Sequence, residues 1–415
     1  MINFKSSGFL RNAASLGVLQ VANYILPLLT LPYLLRTLGV ESYGAYALSV
    51  AIAAYFVIIV EYSFNLLATK DVAKNKNNLM KLSEIFSCVI SIKAILALVC
   101  FTLLCLISLF VQKLHSIFYL NAVSFLITVG YVLFPLWLYQ GVEKMWYISV
   151  INIVYKTLYL FSVFLFINDS GDTLVAALLL SMSFIMTGVT GFYFALKHEK
   201  IRFSIYSWNV YKYYLTSGFR VFISNLSISF YLNLAIPILG MFASNQSVGL
   251  YSAAHKIAEA AKGVYAPLSQ AFFPNVAQKF SRNYADGVSS LLNFLKFTMG
   301  INLCISLCLF TMSGFIVNLI AGSEYEGAGV LLKILSPLPF LVGISNVFGI
   351  QFMVNNGMEK QFCGVLITAS IISLLLTLSF VPIYRETATA SILVFIEFFV
   401  MLFMIAFSIK RIKKI

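Results

Sequence analysis

The chain has 415 residues, 60% of them hydrophobic and only 10% charged, with a formal net charge of +13 and a mean hydropathy of +0.92. This composition excludes an ordinary water-soluble domain and requires a bilayer as solvent. The positive charge lies mostly in short loops between apolar runs, a pattern of membrane orientation rather than of nucleic-acid binding.

A hydrocarbon core about 30 Å thick takes roughly 20 apolar residues to cross as a helix. Twelve such runs are predicted, over residues 12–35, 45–68, 84–111, 117–139, 146–167, 173–196, 219–242, 250–278, 289–319, 329–354, 362–383 and 388–409. They lack the alternation of barrel strands, and a backbone in lipid must pair its amides within its own segment, so the expected fold class is an all-α polytopic membrane protein. The first run follows Lys5 and Arg11 as a signal peptide would, but it contains Pro27 and Pro32, is too long and shows no small-residue cleavage site; it reads as an uncleaved span. The six cysteines sit inside apolar runs without a CxxC pair or a histidine at ligand spacing, so they are expected to be buried thiols with no metal.

The stretch Asn23 to Tyr46 returns in shortened form at Asn233 to Tyr251: Asn23 and Pro27 match Asn233 and Pro237, and Ser42, Gly44 and Tyr46 match Ser247, Gly249 and Tyr251. A second echo relates Gly141, Glu143 and Lys144 to Gly357, Glu359 and Lys360. Two matches in the same order at nearly equal shifts indicate one unit written twice. The predicted organisation is a six-helix lobe over 1–196, a cytoplasmic or interfacial linker over 197–217 rich in tyrosine and lysine, and a second six-helix lobe over 218–415. Six spans return the chain to the side it left, so the lobes are expected to be related by a pseudo-two-fold axis along the membrane normal, with a binding site between them. Outside the spans, eighteen lysines and arginines fall on one side and three (Arg36, Lys113 and Arg385) on the other. Both termini are therefore expected in the cytoplasm.

Polar groups at membrane depth mark the candidate site. Asn12, Gln20, Asn23, Pro27 and Thr30 share one face of the first span, and Asn225, Ser229 and Asn233 form a stripe on the seventh, beside another that includes Arg220. Such faces either line a hydrated cleft or join helices to one another. Lys93, Lys156, Lys256 and Lys262 lie deep in apolar runs, whereas Arg220, Lys296 and Lys333 lie near span ends where they can snorkel. The anions are fewer: Glu61 with Asn65 four residues on, Glu259 in a seam with His255, Lys256 and Lys262, and Glu397 in the last span. An excess of cations suits an anionic headgroup, and lysine and arginine suit phosphate oxygens. Glu61, Asn65, Glu259 and Glu397 are the ion-coupling candidates, each also open to a purely structural role.

The segments LPYLLRTLGVESYGAY (Leu31 to Tyr46), EYSFNLLAT (Glu61 to Thr69), QGVEKM (Gln140 to Met145) and SPLPFLVGISNVFGIQFM (Ser336 to Met353) resemble the Wzx-type O-antigen flippases of the multidrug, oligosaccharidyl-lipid and polysaccharide exporter superfamily. The resemblance spans essentially the whole chain. It implies twelve helices in two six-helix lobes around a V-shaped central cavity, in the bacterial inner membrane. The implied activity is transfer of an undecaprenyl-diphosphate-linked oligosaccharide from the cytoplasmic to the periplasmic leaflet by alternating access, with ion-gradient coupling. Within those segments the resemblance carries over Arg36 as the matching cation, near the periplasmic edge. Lys93, Lys156, Arg220, Lys256 and Lys262, with Asn23, Asn225 and Asn233, complete the expected diphosphate and glycan site on depth and spacing.

The expected partners are that lipid-linked oligosaccharide, the bilayer and, further, other polysaccharide-assembly membrane proteins. The alternatives are a cation-coupled multidrug exporter of the same superfamily, against which a lysine-rich cavity argues, and a membrane glycosyltransferase or polysaccharide polymerase, against which the short loops argue. No Walker A glycine loop or cofactor motif occurs, so the chain is expected to be a transporter and not an enzyme.

Overall fold

The computed structural model describes the backbone of residues 7–263 and 265–412; side-chain surroundings are described for these except 7–18, 21, 24, 220, 224, 227, 228, 230–233, 266–268 and 271. Helices account for nearly all of the described chain, and no strand occurs within it. The described residues pack as two units, one formed by those up to Leu38 and by Ala45–Ser229, the other by Gly39–Gly44 and those from Phe230 onward. Residues 197–217, expected as a linker, belong to the first unit.

Eight helical stretches among the described residues are long and apolar enough to cross a membrane. Two of them are far longer than the about 30 Å core requires. The helix Ser7–Glu61 turns at Gly39 (φ 71, ψ 170) and holds the first predicted span and most of the second, and the helix Glu359–Ile412 turns at Arg385 (φ 49, ψ −128) and holds the last two. The predicted seventh and eighth spans fall on the shorter helices Trp208–Asn233, Ala235–Phe242, Asn245–Gly263 and Tyr265–Arg282, which lie outside those eight. Large apolar side chains such as Leu109, Phe110, Leu165, Ile371 and Leu375 are exposed. In water that would be costly, and it is what a lipid-facing surface requires.

In the first unit, the second and fourth predicted spans are each broken. The second stops at Glu61, where Tyr62 takes a positive φ of 51°, and resumes as Phe64–Lys74. The fourth stops at Phe134 because Pro135 cannot donate to the helix, and resumes as Leu136–Gly141. Trp137, Phe64, Phe86 and Leu82 form a buried core beside these breaks. The helices Phe118–Leu133 and Thr173–His198 approach through glycines: a Cβ on Gly130 would lie 2.5 Å from the Phe184 carbonyl carbon, and one on Gly188 would lie 2.5 Å from the Gly130 oxygen. Small residues let membrane helices gain dispersion contact where no hydrophobic force draws them together.

The second unit brings the two copies of the internal repeat into contact. A Cβ on Gly44 would lie 1.8 Å from the Asn245 carbonyl oxygen, and one on Gly249 would lie 2.1 Å from the Val40 carbonyl oxygen. The matched glycines are therefore reciprocal points of close backbone approach. Elsewhere in this unit Ser269 donates to Asn346 Oδ1 (2.6 Å), and Gln351, fully buried, donates to the Ser269 carbonyl (2.8 Å). These bonds tie Tyr265–Arg282 to the helices that follow Pro337. Of the cysteines, Cys88 and Cys100 are buried as expected, whereas Cys304, Cys308 and Cys363 are exposed; all six are free thiols.

Candidate functional site

The most tightly built polar cluster of the first unit lies at the break after Glu61. Lys93, in the middle of the helix Leu79–Phe110, has a side chain with 0% exposure, and its Nζ lies 2.6 Å from Glu61 Oε1. It also donates to the Tyr131 carbonyl at 2.8 Å. An isolated ammonium there would cost several kcal/mol, so the carboxylate and the carbonyl are what make its burial tolerable. Asn65 Nδ2 donates to Glu61 Oε2 from the far side of the break. The predicted Glu61 and Asn65 pair is thus present, but the helix is interrupted between its members.

Helix Trp208–Asn233 holds that interruption in place. The Tyr62 hydroxyl donates to the Leu215 carbonyl at 2.7 Å, and its ring stacks on Phe222 with centroids 4.6 Å apart. A Cβ on Gly218 would lie 2.0 Å from Ser63 Oγ, so the backbone of the bracing helix passes directly over the break. Sequence reasoning missed Tyr62, Gly218 and Tyr131 as parts of this site; EYSF contains no proline or glycine to signal the interruption.

A second cluster of the first unit joins the first span to the fifth. Lys156 Nζ donates to Asn23 Oδ1 at 2.6 Å. Pro27, lacking an N–H, cannot supply the Asn23 carbonyl with its usual helical donor. Nearby on the Lys156 helix, Tyr155 shares a hydrogen bond with Thr190 (2.7 Å), and Tyr159 shares a longer one with Tyr46 (3.4 Å). A neutral amide brings no counter-charge to the lysine and leaves it two further donors.

In the second unit Lys262 Nζ lies 2.5 Å from Glu259 Oε1, and His255 Nε2 lies 3.6 Å from the same oxygen. Lys256 and Asn225 are exposed, Arg36 lies exposed three residues before the bend at Gly39, and Glu397 is buried. The side chains of Arg220 and Asn233 fall outside the described residues. The four deep lysines therefore differ: Lys93 and Lys262 are neutralised by carboxylates, Lys156 is bound by an amide, and Lys256 faces outward. No group of three or more metal-ligating side chains occurs among the described residues.

Helical folds of this kind are found in multi-pass transporters. The chain superposes on a multidrug resistance MATE family transporter of the MOP superfamily in an inward-facing conformation (TM-score 0.71, 14% identity, 97% of this chain and 98% of that one). It also superposes on the lipid II flippase MurJ in an inward closed conformation (TM-score 0.72, 14% identity, 97% of this chain and 87% of that one). At this identity the likenesses define the class by fold alone: a multi-pass helical membrane protein folded like those two. The family model described as "Polysaccharide biosynthesis protein" matches residues 9–280, and the chain belongs to that family. Two relatives, both named "Putative O-antigen transporter", match nearly end to end. The one from Escherichia coli (strain K12) is 34% identical over 96% of each chain, and the one from Shigella dysenteriae is 26% identical over 95% of this chain and 98% of that one.

Proposed function

We propose that the chain is a flippase, moving a polyprenyl-diphosphate-linked oligosaccharide from the cytoplasmic to the periplasmic leaflet of the bacterial inner membrane, with both termini cytoplasmic. The observation that carries this reading is the end-to-end likeness, at 34% identity, to a protein named as an O-antigen transporter. The geometry supplies a chemistry for it. Lys156, given no counter-charge by Asn23 and holding two spare donors, is suited to diphosphate oxygens. Lys93 is bound to Glu61, and a proton on that carboxylate would raise the charge of the pair from zero to +1. Proton arrival at Glu61 and attraction of an anionic headgroup are then one electrostatic event, which is how an ion gradient would bias a cycle of alternating access.

The test is depletion of the protein in its host. Surface glycan should be lost while lipid-linked repeat units accumulate in the cytoplasmic leaflet, with drug sensitivity unchanged. Normal surface glycan in the depleted strain, or loss of drug resistance alone, would reject the reading in favour of a drug exporter.

A further inference from the structure

The helix Asn245–Gly263 of the second unit carries a row of buried polar atoms that lack hydrogen-bond partners among the described residues: Asn245 Oδ1, the Tyr251 hydroxyl, Ser252 Oγ and His255 Nδ1. Tyr251 and Ser252 are each 1% exposed, and the Tyr251 ring stacks on His255 with centroids 5.5 Å apart. The row continues to Glu259, half-buried and 3.6 Å from His255 Nε2. Asn245, Ser252 and Glu259 are spaced by seven and so share a face, and the step of fourteen from the first to the last covers about 21 Å of helix axis. The Tyr325 hydroxyl, fully buried where the helix Glu326–Leu335 begins, is unpartnered among the described residues as well. That helix packs here, since a Cβ on Gly327 would meet Leu250 at 3.2 Å.

The internal repeat is a built-in control. Tyr46 of the first copy corresponds to Tyr251, and it shares a hydrogen bond with Tyr159. At the positions of Ser252, His255 and Glu259 the first copy has Ala47, Val50 and Ala54. The first copy buries Tyr46 and Ser49 on this helix, and both have hydrogen-bond partners, so packing of the repeat alone does not call for the unpartnered polar atoms of the second. Buried polar groups without partners are destabilising, and a polar row of this kind is where ordered water is bound.

We infer that Asn245, Tyr251, Ser252, His255 and Tyr325 bind a chain of water molecules ending at Glu259, and that this chain is a path for protons through the second unit. His255 accepts a proton on one ring nitrogen and releases one from the other, returning to neutral, and Glu259 exchanges its proton with water at the outer end. The inference concerns water and protons only and stands whether or not the cargo is a lipid-linked glycan.

Hydroxyl-radical labelling of the full-length protein in lipid nanodiscs tests it, because radicals formed from bound water mark adjacent side chains. Tyr251 and Tyr325 should be labelled at least about tenfold faster than Tyr139, which is fully buried but donates to the Gly191 carbonyl. A variant carrying the first copy's residues, Ser252→Ala with His255→Val and Glu259→Ala, should protect Tyr251 to the level of Tyr139 and abolish voltage-driven proton uptake in proteoliposomes. Should that triple variant fail to fold, His255→Val and Glu259→Gln singly carry the same two expectations. Protection of Tyr251 equal to that of Tyr139 in the unmodified protein would overturn the water chain, and undiminished proton uptake in the folded variants would overturn the path.

Discussion

Lys93 Nζ and Glu61 Oε1, thirty-two residues apart in sequence, lie 2.6 Å from each other, and the lysine side chain has no exposed surface. Breaking such a pair from one side leaves a buried charge uncompensated, at a cost of about 3 kcal/mol or more. Lys93→Met should therefore unfold at a distinctly lower temperature in detergent, while the double variant Lys93→Met with Glu61→Gln should recover most of the loss. A double variant no more stable than Lys93→Met would show that the pair is not the interaction that holds Lys93.

Lys156 is expected to act on cargo charge. A hydrogen bond to a charged group contributes roughly 1.5–3 kcal/mol, so Lys156→Ala should weaken binding of a polyprenyl diphosphate by about tenfold or more. Binding of the uncharged polyprenol should not change. Equal weakening for both lipids would assign Lys156 a packing role only.

The approach of Gly44 to Asn245 leaves no room for a methyl group. Gly44→Ala and Gly249→Ala should each destabilise the protein by about 1–3 kcal/mol through overpacking. Gly300→Ala, where an added Cβ meets nothing within 4 Å, should be neutral or better. Thermal unfolding of the three variants side by side decides the point; equal midpoints would contradict it.

The segment after Glu199 is fastened by two serines of the helix Leu79–Phe110. Ser83 Oγ accepts from the Arg202 amide at 3.1 Å and Ser87 Oγ from the Ser204 amide at 3.0 Å, while Lys144 pairs with Glu199 at 2.6 Å. Ser83→Ala with Ser87→Ala should speed tryptic cleavage after Lys200 and Arg202. Cleavage at the unmodified rate would mean that the buried Ile201 and the Lys144–Glu199 pair hold the segment without the serines.

Much of this was legible in the sequence, for physical reasons that can be named. Runs of apolar residues mark spans because a lipid-embedded backbone has no other way to pair its amides, and the repeat around Gly44 and Gly249 was visible because close backbone contact admits only glycine there. The break at Tyr62 was not visible, since nothing in EYSF forbids a helix and the brace from Leu215, Gly218 and Phe222 is distant in sequence. Depth identified Lys93 and Glu61 separately as costly residues, but pairing across two helices depends on their rotation. The same limit grouped Lys93, Lys156, Lys256 and Lys262 as equals, although their partners differ.

Reconstitution tests the central claim most directly. Purified protein in proteoliposomes, given a fluorescent polyprenyl-diphosphate oligosaccharide in both leaflets, should render nearly all of it accessible to a reductant added outside, and Lys156→Ala should slow that exchange. Accessibility limited to the outer half, as in protein-free vesicles, would contradict the account.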